Sequence, residues 1–157
     1  MAVRDIFNFI GLDDNIALGG QPTAAQLHDA RDEGFAVVIN LLPATQDNAL
    51  PGEDAIVAGL GLDYHYIPVS WTDPDIDDVD RFIDAMDAAG DRKVLVHCAA
   101  NYRVTAFYSL YAMRRLGWSA EQADALIARI WESRPDFRMD GNWKALVDEA
   151  RRRIAAA

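Results

Sequence analysis

Cys98 is the only cysteine among the 157 residues, and it stands in the run His97-Cys98-Ala99-Ala100-Asn101-Tyr102-Arg103-Val104-Thr105. The run lies between Lys93–His97 (KVLVH), which reads as a buried strand, and an apolar stretch from about Val104 to Leu116, which reads as a helix. A loop that leaves a strand and enters a helix N-terminus presents unpaired backbone N–H groups to one point, which is a cradle for an anion. The positive end of the same helix favours a thiolate at Cys98. Arg103 adds a planar, permanently charged fork suited to bidentate contact with an oxyanion. A thiolate beside an oxyanion cradle is equipped to attack phosphorus or sulfur. His97 adjoins the nucleophile but points to the other side of its strand. It is expected to donate to loop carbonyls and so orient the loop, with no direct part in proton transfer. Neighbours on a strand diverge, so His97 and Cys98 do not make a zinc site, and no metal or cofactor is expected.

The surrounding elements must hold this loop. Residues 1–12 read as an arm with a short helix that packs Ile6, Phe9 and Ile10. Thr23-Ala-Ala-Gln26 is a capping box that opens a helix ending near Gly34. Phe35–Leu42 reads as a buried strand, Glu53–Leu60 as a short helix, and Tyr64–Val69 as a strand whose Pro68 suits an edge or a strand end. After the loop 70–75, Asp75 caps a helix that carries Ile76, Val79, Phe82, Ile83 and Met86 on one face and ends at Gly90. The stretch after the cysteine loop is apolar nearly all round and belongs at the centre of the molecule. Ser119-Ala-Glu-Gln122 opens a further helix through Trp131, Pro135 closes that region, and a last helix runs from about Asn142 to Arg153, leaving 154–157 as a frayed tail. Strands alternating with helices predict one α/β domain over 1–157, with a central, mainly parallel sheet flanked by helices.

Composition narrows the partners. Apolar residues make up 51% and charged residues 25%, the mix of a folded soluble domain. Fifteen Lys and Arg against twenty-five Asp and Glu give a net charge of −10, which argues against nucleic-acid or anionic-membrane binding. No segment is apolar for long enough to span a bilayer, and no secretory signal is read at the N-terminus, so a cytoplasmic location with a reduced thiol is expected. Any anion must be held by a local cradle against the overall field. That favours a small or singly phosphorylated ligand over a polyanion.

His-Cys, a short loop, Arg and then a hydroxyl residue resembles the signature of the cysteine-dependent protein tyrosine and dual-specificity phosphatases. Gly19-Gly20-Gln21-Pro22-Thr23, Val38-Ile39-Asn40-Leu41, Ile67-Pro68-Val69 and the His-Cys loop together resemble a bacterial family of phosphatase-like proteins, including a domain found beside β-lactamase-like hydrolases. The resemblance covers most of the chain and implies a dual-specificity-phosphatase-like fold acting on a phosphorylated protein or a small phosphoester. It further implies Cys98 as a nucleophile that forms a phosphocysteine and Arg103 as the ligand of the phosphoryl oxygens. The loop residues Ala99, Ala100, Asn101, Tyr102, Val104 and Thr105 would complete the phosphate site. A general acid is implied on the loop after Val69. Asp73, fixed by Pro74, is the first candidate, and Asp75 is a second at the pocket rim. Trp71 could line the pocket mouth or anchor the loop.

The sequence departs from that pattern at one place. The phosphatase signature has five residues between Cys and Arg, and here there are four. Rhodanese-type sulfurtransferases resemble the shorter spacing, so a persulfide on Cys98 is an alternative, and a non-catalytic oxyanion- or phosphoprotein-binding module is another. Thr105 keeps the position of the phosphatase Ser or Thr. Asn101 stands where both families usually have Gly, and Asn is the best non-Gly residue for a left-handed turn. Two paths are therefore open: a true short loop, or a loop of phosphatase length with Val104 in the Arg slot.

Overall fold

The computed structural model describes residues 2–134 and 138–157. Pro135 lies outside them. Five strands, β1 (Ile10–Gly11), β2 (Ile16–Gly19), β3 (Val37–Asn40), β4 (Asp63–Tyr66) and β5 (Val94–His97), form one sheet in the order β1-β2-β5-β3-β4. All pairings are parallel except β1 with β2. Among the described residues six α-helices accompany the sheet: α1 (Ala24–Asp32), α2 (Glu53–Gly59), α3 (Ile76–Ala89), α4 (Tyr102–Arg115), α5 (Ala120–Trp131) and α6 (Gly141–Ala156). The α/β class and the mainly parallel sheet follow the sequence reading. No helix among the described residues is long and apolar enough to cross a membrane.

The central position of β5 fixes the site. Its neighbours β2 and β3 cover both edges, and Val94, Leu95 and Val96 are fully buried. Residues that are apolar on both faces suit only such an interior strand. Every parallel strand ends at the same side of the sheet, so the loop after His97 opens there, beside the ends of β2 and β3. Apolar residues on both faces make two packed layers. One gathers α3, α4, α5 and α6 around Phe82, Phe107 and Leu110, and the other gathers α1 and α2 around Leu27, Val38 and Leu95.

Local sequence explains most element ends. Thr23 and Gln26 exchange side-chain hydrogen bonds with backbone at 2.9 and 3.1 Å, and Ser119 and Gln122 do the same at 2.8 and 3.1 Å. Asp75 caps α3 by accepting from Asp77 N at 2.9 Å, and Gly90 ends that helix with a φ of 62°. β4 occupies the expected sheet edge.

Three expectations are corrected. The N-terminal arm holds only a 3₁₀ turn at Val3–Asp5 and then turns into β1, so the β1–β2 hairpin replaces the expected helix. Strands of two and four residues are too short to show a period, whereas Asp13 Oδ1, accepting from Asn15 N and Ile16 N, closes the turn between them. Helix α4 begins at Tyr102, not Val104, which places Arg103 in its first turn. The C-terminal residues 154–156 continue α6, because Ile154 packs against the core.

Candidate active site

Cys98 is fully buried at the floor of an open depression of about 350 Å3, lined also by Gln46, Trp71, Ala99, Ala100, Tyr102, Arg103 and Arg134. What would suit this floor to an anion is the direction of its peptide groups. Each carbonyl of the loop has a donor behind it. The Cys98 carbonyl faces His97 Nδ1 at 3.3 Å, and the Ala99 carbonyl accepts from Gln21 N at 3.0 Å. The Ala100 carbonyl accepts from Asn8 Nδ2 at 3.0 Å, and the Tyr102 carbonyl accepts from Trp131 Nε1 at 2.9 Å. The Asn101 carbonyl takes both the amide of Thr105, at 3.1 Å, and its hydroxyl, at 2.9 Å. In a trans peptide the N–H opposes the C=O, so carbonyls tied outward aim the following amides inward. The first i→i−4 bond of α4 is Thr105 N–H to Asn101 O, so the amides of Arg103 and Val104 precede the helical ladder.

The short loop closes because Asn101 adopts a left-handed conformation, φ 71°, as the helix N-cap. That is the conformation its residue type foretold. Gly20 permits the approach on the other side. A Cβ there would lie 2.5 Å from the Ala99 carbonyl and 2.9 Å from that of Phe7. Gly20 forms a β-bridge with Ala100, and Cys98 N donates to the Gly19 carbonyl at 3.2 Å.

Arg103 lies beside Cys98. Its Nε donates to the Val69 carbonyl at 2.9 Å and its guanidinium carbon sits 5.4 Å from the Trp71 ring centre. Burial lowers the guanidinium pKa, while the charge and hydrogen bond of the neighbouring Cys98 sulfur oppose that shift. With Nε bonded to a fixed carbonyl, the terminal nitrogens are the donors that can serve the Cys98 sulfur or an oxyanion. Val104 is buried in the core, so it does not take the Arg slot, and the loop is a true four-residue one. Thr105 is also fully buried, its hydroxyl spent on the Asn101 and Tyr102 carbonyls. The side chains of Asn101, Val104 and Thr105 do not line the depression. Any part they take in anion binding is left to the backbone of the loop and to packing beneath it.

Trp71 takes both parts considered for it. It lines the depression, and it stacks on Trp131 at 5.5 Å and packs on Trp143 at 5.4 Å. Asp73 and Asp75 are placed elsewhere. Both line a separate depression with Asn142, Leu146 and Glu149, and Asp75 is the α3 cap. Helix α6 pins the loop between them and the site: Trp143 Nε1 donates to the Trp71 carbonyl at 2.8 Å and Asn142 Nδ2 to that of Thr72 at 2.7 Å. No carboxylate among the described residues lines the Cys98 depression.

Beneath the loop lies a polar network that sequence reasoning missed. His97 Nε2 is 2.6 Å from Glu53 Oε2, and Glu53 also accepts from Gln21 Nε2 at 2.7 Å and Tyr64 Oη at 3.1 Å. Asn40 Nδ2 in turn reaches Tyr64 Oη at 2.9 Å. The two ring nitrogens of His97 face a carbonyl and a carboxylate, both acceptors. Burial pushes the Glu53 carboxyl up, but the hydrogen bond and charge of His97, with the bonds from Gln21 and Tyr64, outweigh it and hold it below the ordinary range. Burial drives the Tyr64 phenol upward, well above its usual value, so it stays a donor. Nothing near Glu53 in the sequence marked it, because its partner lies 44 positions away.

A depressed carboxylate stabilises the fold above its unfolded pKa and loses that contribution as pH falls through the folded value. Glu53→Gln should therefore cost about 1–3 kcal/mol at pH 7. The gap to the wild type should close as pH falls below about 4. Denaturant titrations at both pH values check this. A gap that persists in acid would rule out the ionic account.

Comparison with known proteins agrees with this geometry. The family model for the phosphatase-like domain of beta-lactamase hydrolase-like proteins matches residues 8–114. The beta-lactamase hydrolase-like protein of Xylella fastidiosa (strain Temecula1) is 31% identical over 104 residues, 64% of this chain and 24% of that protein. The chain thus spans about a quarter of the length of the curated relatives it matches. The crystal structure of a candidate phosphatase (DUF442) from Shewanella putrefaciens CN-32 is similar with a TM-score of 0.85 and 31% identity, over 97% of this chain and 96% of that one. PTPMT1 in complex with PI(5)P shares the fold, with a TM-score of 0.72, 20% identity and coverage of 95% and 97%. The family match runs from the N-terminal segment that ties down the cysteine loop almost to the end of the helix that carries Arg103, more than half of the residues, and the chain belongs to the phosphatase-like domain family of the beta-lactamase hydrolase-like proteins.

Proposed function

We propose that the protein is a cysteine-dependent phosphatase that hydrolyses phosphomonoesters through Cys98, without a metal ion or cofactor. The observation that carries this reading is the loop whose carbonyls are tied outward while Arg103 stands beside the thiol. The Cys98 thiolate attacks phosphorus and the ester P–O bond breaks, giving a phosphocysteine and the leaving alkoxide or phenoxide, which takes a proton from water. Water then attacks phosphorus and the P–S bond breaks, releasing inorganic phosphate and the thiolate. Arg103 and the loop amides bind the equatorial oxygens, whose charge is shared more evenly in the transition state. Trp71 and Tyr102 form an aromatic wall suited to an aryl ester.

The leaving group decides the substrate class. Asp73, the acid suggested by the family resemblance, reaches the departing oxygen only through a movement of the 70–75 loop. With no carboxylate among the described residues lining the depression, groups that depart unprotonated are favoured. A phenoxide leaves at a pKa of about 10, an alkoxide near that of water, about 15.7. Aryl phosphates, phosphotyrosine among them, should therefore be turned over at least about a hundredfold faster than alkyl phosphates. Phosphate release from p-nitrophenyl phosphate and from a phosphoserine peptide, with and without chelator, measures this. A working general acid contributes about 10²–10⁴-fold. If Asp73 supplied it, alkyl esters would be cleaved nearly as fast as aryl ones, and Asp73→Asn would abolish that.

A second reading is favoured by the four-residue loop together with a depression in which no described residue supplies an acid. Sulfur transfer needs no leaving-group protonation. The Cys98 thiolate attacks the sulfane sulfur of thiosulfate, the S–S bond breaks, sulfite departs and a persulfide remains. Intact mass after incubation with thiosulfate should then show one added sulfur on Cys98. An unchanged mass removes this reading.

A further inference from the structure

We propose that Asn8 is a positioning residue of the site, and that it holds the Ala100–Asn101 peptide in the one orientation that turns the Asn101 amide toward the anion. The proposal concerns loop geometry. Only its functional consequence rests on the oxyanion reading above.

Asn8 and Asn101 are the two non-glycine residues with positive φ among the described residues, 53° and 71°. They are 93 positions apart, yet each side chain bonds the backbone of the other's segment. Asn8 Nδ2 donates to the Ala100 carbonyl at 3.0 Å, and Asn101 Nδ2 donates to the Asn8 carbonyl at 2.8 Å. Next to this pair, Gly20 N donates to the Phe7 carbonyl at 2.8 Å, which anchors the N-terminal segment to the end of β2. The Ala100 carbonyl is thus the one loop carbonyl that depends on the N-terminal segment.

A peptide plane between an extended residue and a left-handed one can rotate by about half a turn, as between type II and type I turns. The rotation would move Asn101 from positive to negative φ, which an L-residue prefers. It would also point the Asn101 N–H away from the depression and put the Ala100 carbonyl oxygen there instead. A donor would be replaced by a partial negative charge in the place where an anion must bind. Intrinsic preference therefore works against the cradle, and the Asn8 donor opposes it. Asn101 keeps its carboxamide in full burial although its Oδ1 finds no partner among the described residues. That unfavourable burial is the mark of a group retained for its other end, the Nδ2 bond to Asn8.

Two variants of the full chain separate this from general structural support. Asn8→Gly keeps the positive φ accessible and removes the carboxamide. Asn8→Asp keeps the size and backbone preference but sets an acceptor against the Ala100 carbonyl. In both, amide exchange measured by NMR should rise about tenfold or more at Asn101 and Arg103, while the amides of β3 and β5 keep their protection and report an intact fold. In a Cys98→Ser background, inorganic phosphate should bind each variant about tenfold more weakly than the parent. Unchanged exchange at Asn101 and Arg103 in a folded Asn8→Asp protein overturns the proposal. So does raised exchange with unchanged phosphate affinity. If the Cys98→Ser parent itself binds no phosphate, the oxyanion reading fails, and the exchange data still decide whether Asn8 holds the loop.

Discussion

Replacing Cys98 with serine should lower phosphate release from an aryl phosphate by at least about 10³-fold while leaving phosphate binding in place. The substitution exchanges one chalcogen for another in a fully buried position, so the packing and the loop path change little. The loop amides and Arg103 remain, and the cradle does not depend on the sulfur. What is lost is the nucleophile: a serine hydroxyl stays protonated at neutral pH, and the described residues that line the depression include no general base to activate it. Turnover by stopped assay and phosphate binding by calorimetry on the same preparation give the two numbers. Loss of both would mean that the thiol is needed to form the site. Retention of turnover would remove Cys98 as the nucleophile, and the proposed function with it.

The second large effect is expected at a residue with no functional group. Gly20→Ala should reduce kcat/KM by at least about a hundredfold, since misplacement of a reacting constellation by about 1 Å costs that much. The new Cβ would meet the Ala99 carbonyl oxygen at 2.5 Å and the Phe7 carbonyl oxygen at 2.9 Å. Both are backbone atoms held by hydrogen bonds, so neither can swing aside as a side-chain end does. One of them must move. Displacing Ala99 drags the residue next to the nucleophile and breaks the Gln21 N–H bond that aims its carbonyl outward. Displacing Phe7 moves the segment that carries Asn8. Stability should fall as well, by about 1–3 kcal/mol, as in overpacked cores. Gly59→Ala is the control: it lies in helix α2 with nothing within 4 Å of the added carbon, and should leave turnover unchanged. Wild-type kcat/KM in Gly20→Ala would show that the close approach of β2 does not hold the loop.

The overall charge of −10 takes on a definite meaning beside this geometry. Two cations, Arg103 and Arg134, line the depression, and no carboxylate among the described residues does. The acidic surplus lies elsewhere, much of it on α3 and the loop before it, where Asp75, Asp77 and Asp78 suit a helix N-terminus. The depression is a local inversion of the protein's field, as the sequence required of any anion site in this chain.

Much of the fold was legible because it rests on contacts within a few residues. Two capping boxes, the Asp75 cap, the Gly90 stop and the apolar strands are i to i+4 matters. The β1–β2 hairpin was not legible, since two-residue pairing leaves no periodic trace. The chemistry divides the same way. From the sequence alone came the candidate nucleophile, the arginine beside it, the left-handed Asn101 and a buried His97 that serves the loop, because all belong to one strand–loop–helix run. Tertiary structure alone decided that the loop is short, with Val104 in the core and Arg103 against the thiol. It moved Asp73 and Asp75 out of the depression, because α6 holds their loop. It supplied Glu53, Gln21 and Tyr64 behind His97, and Asn8 behind Ala100. Glu53 lies 44 positions from His97, and Asn8 lies 92 from Ala100. A local pattern states which groups can react, but the direction of a peptide plane depends on where a distant donor ends up, and only the folded chain brings that donor into place.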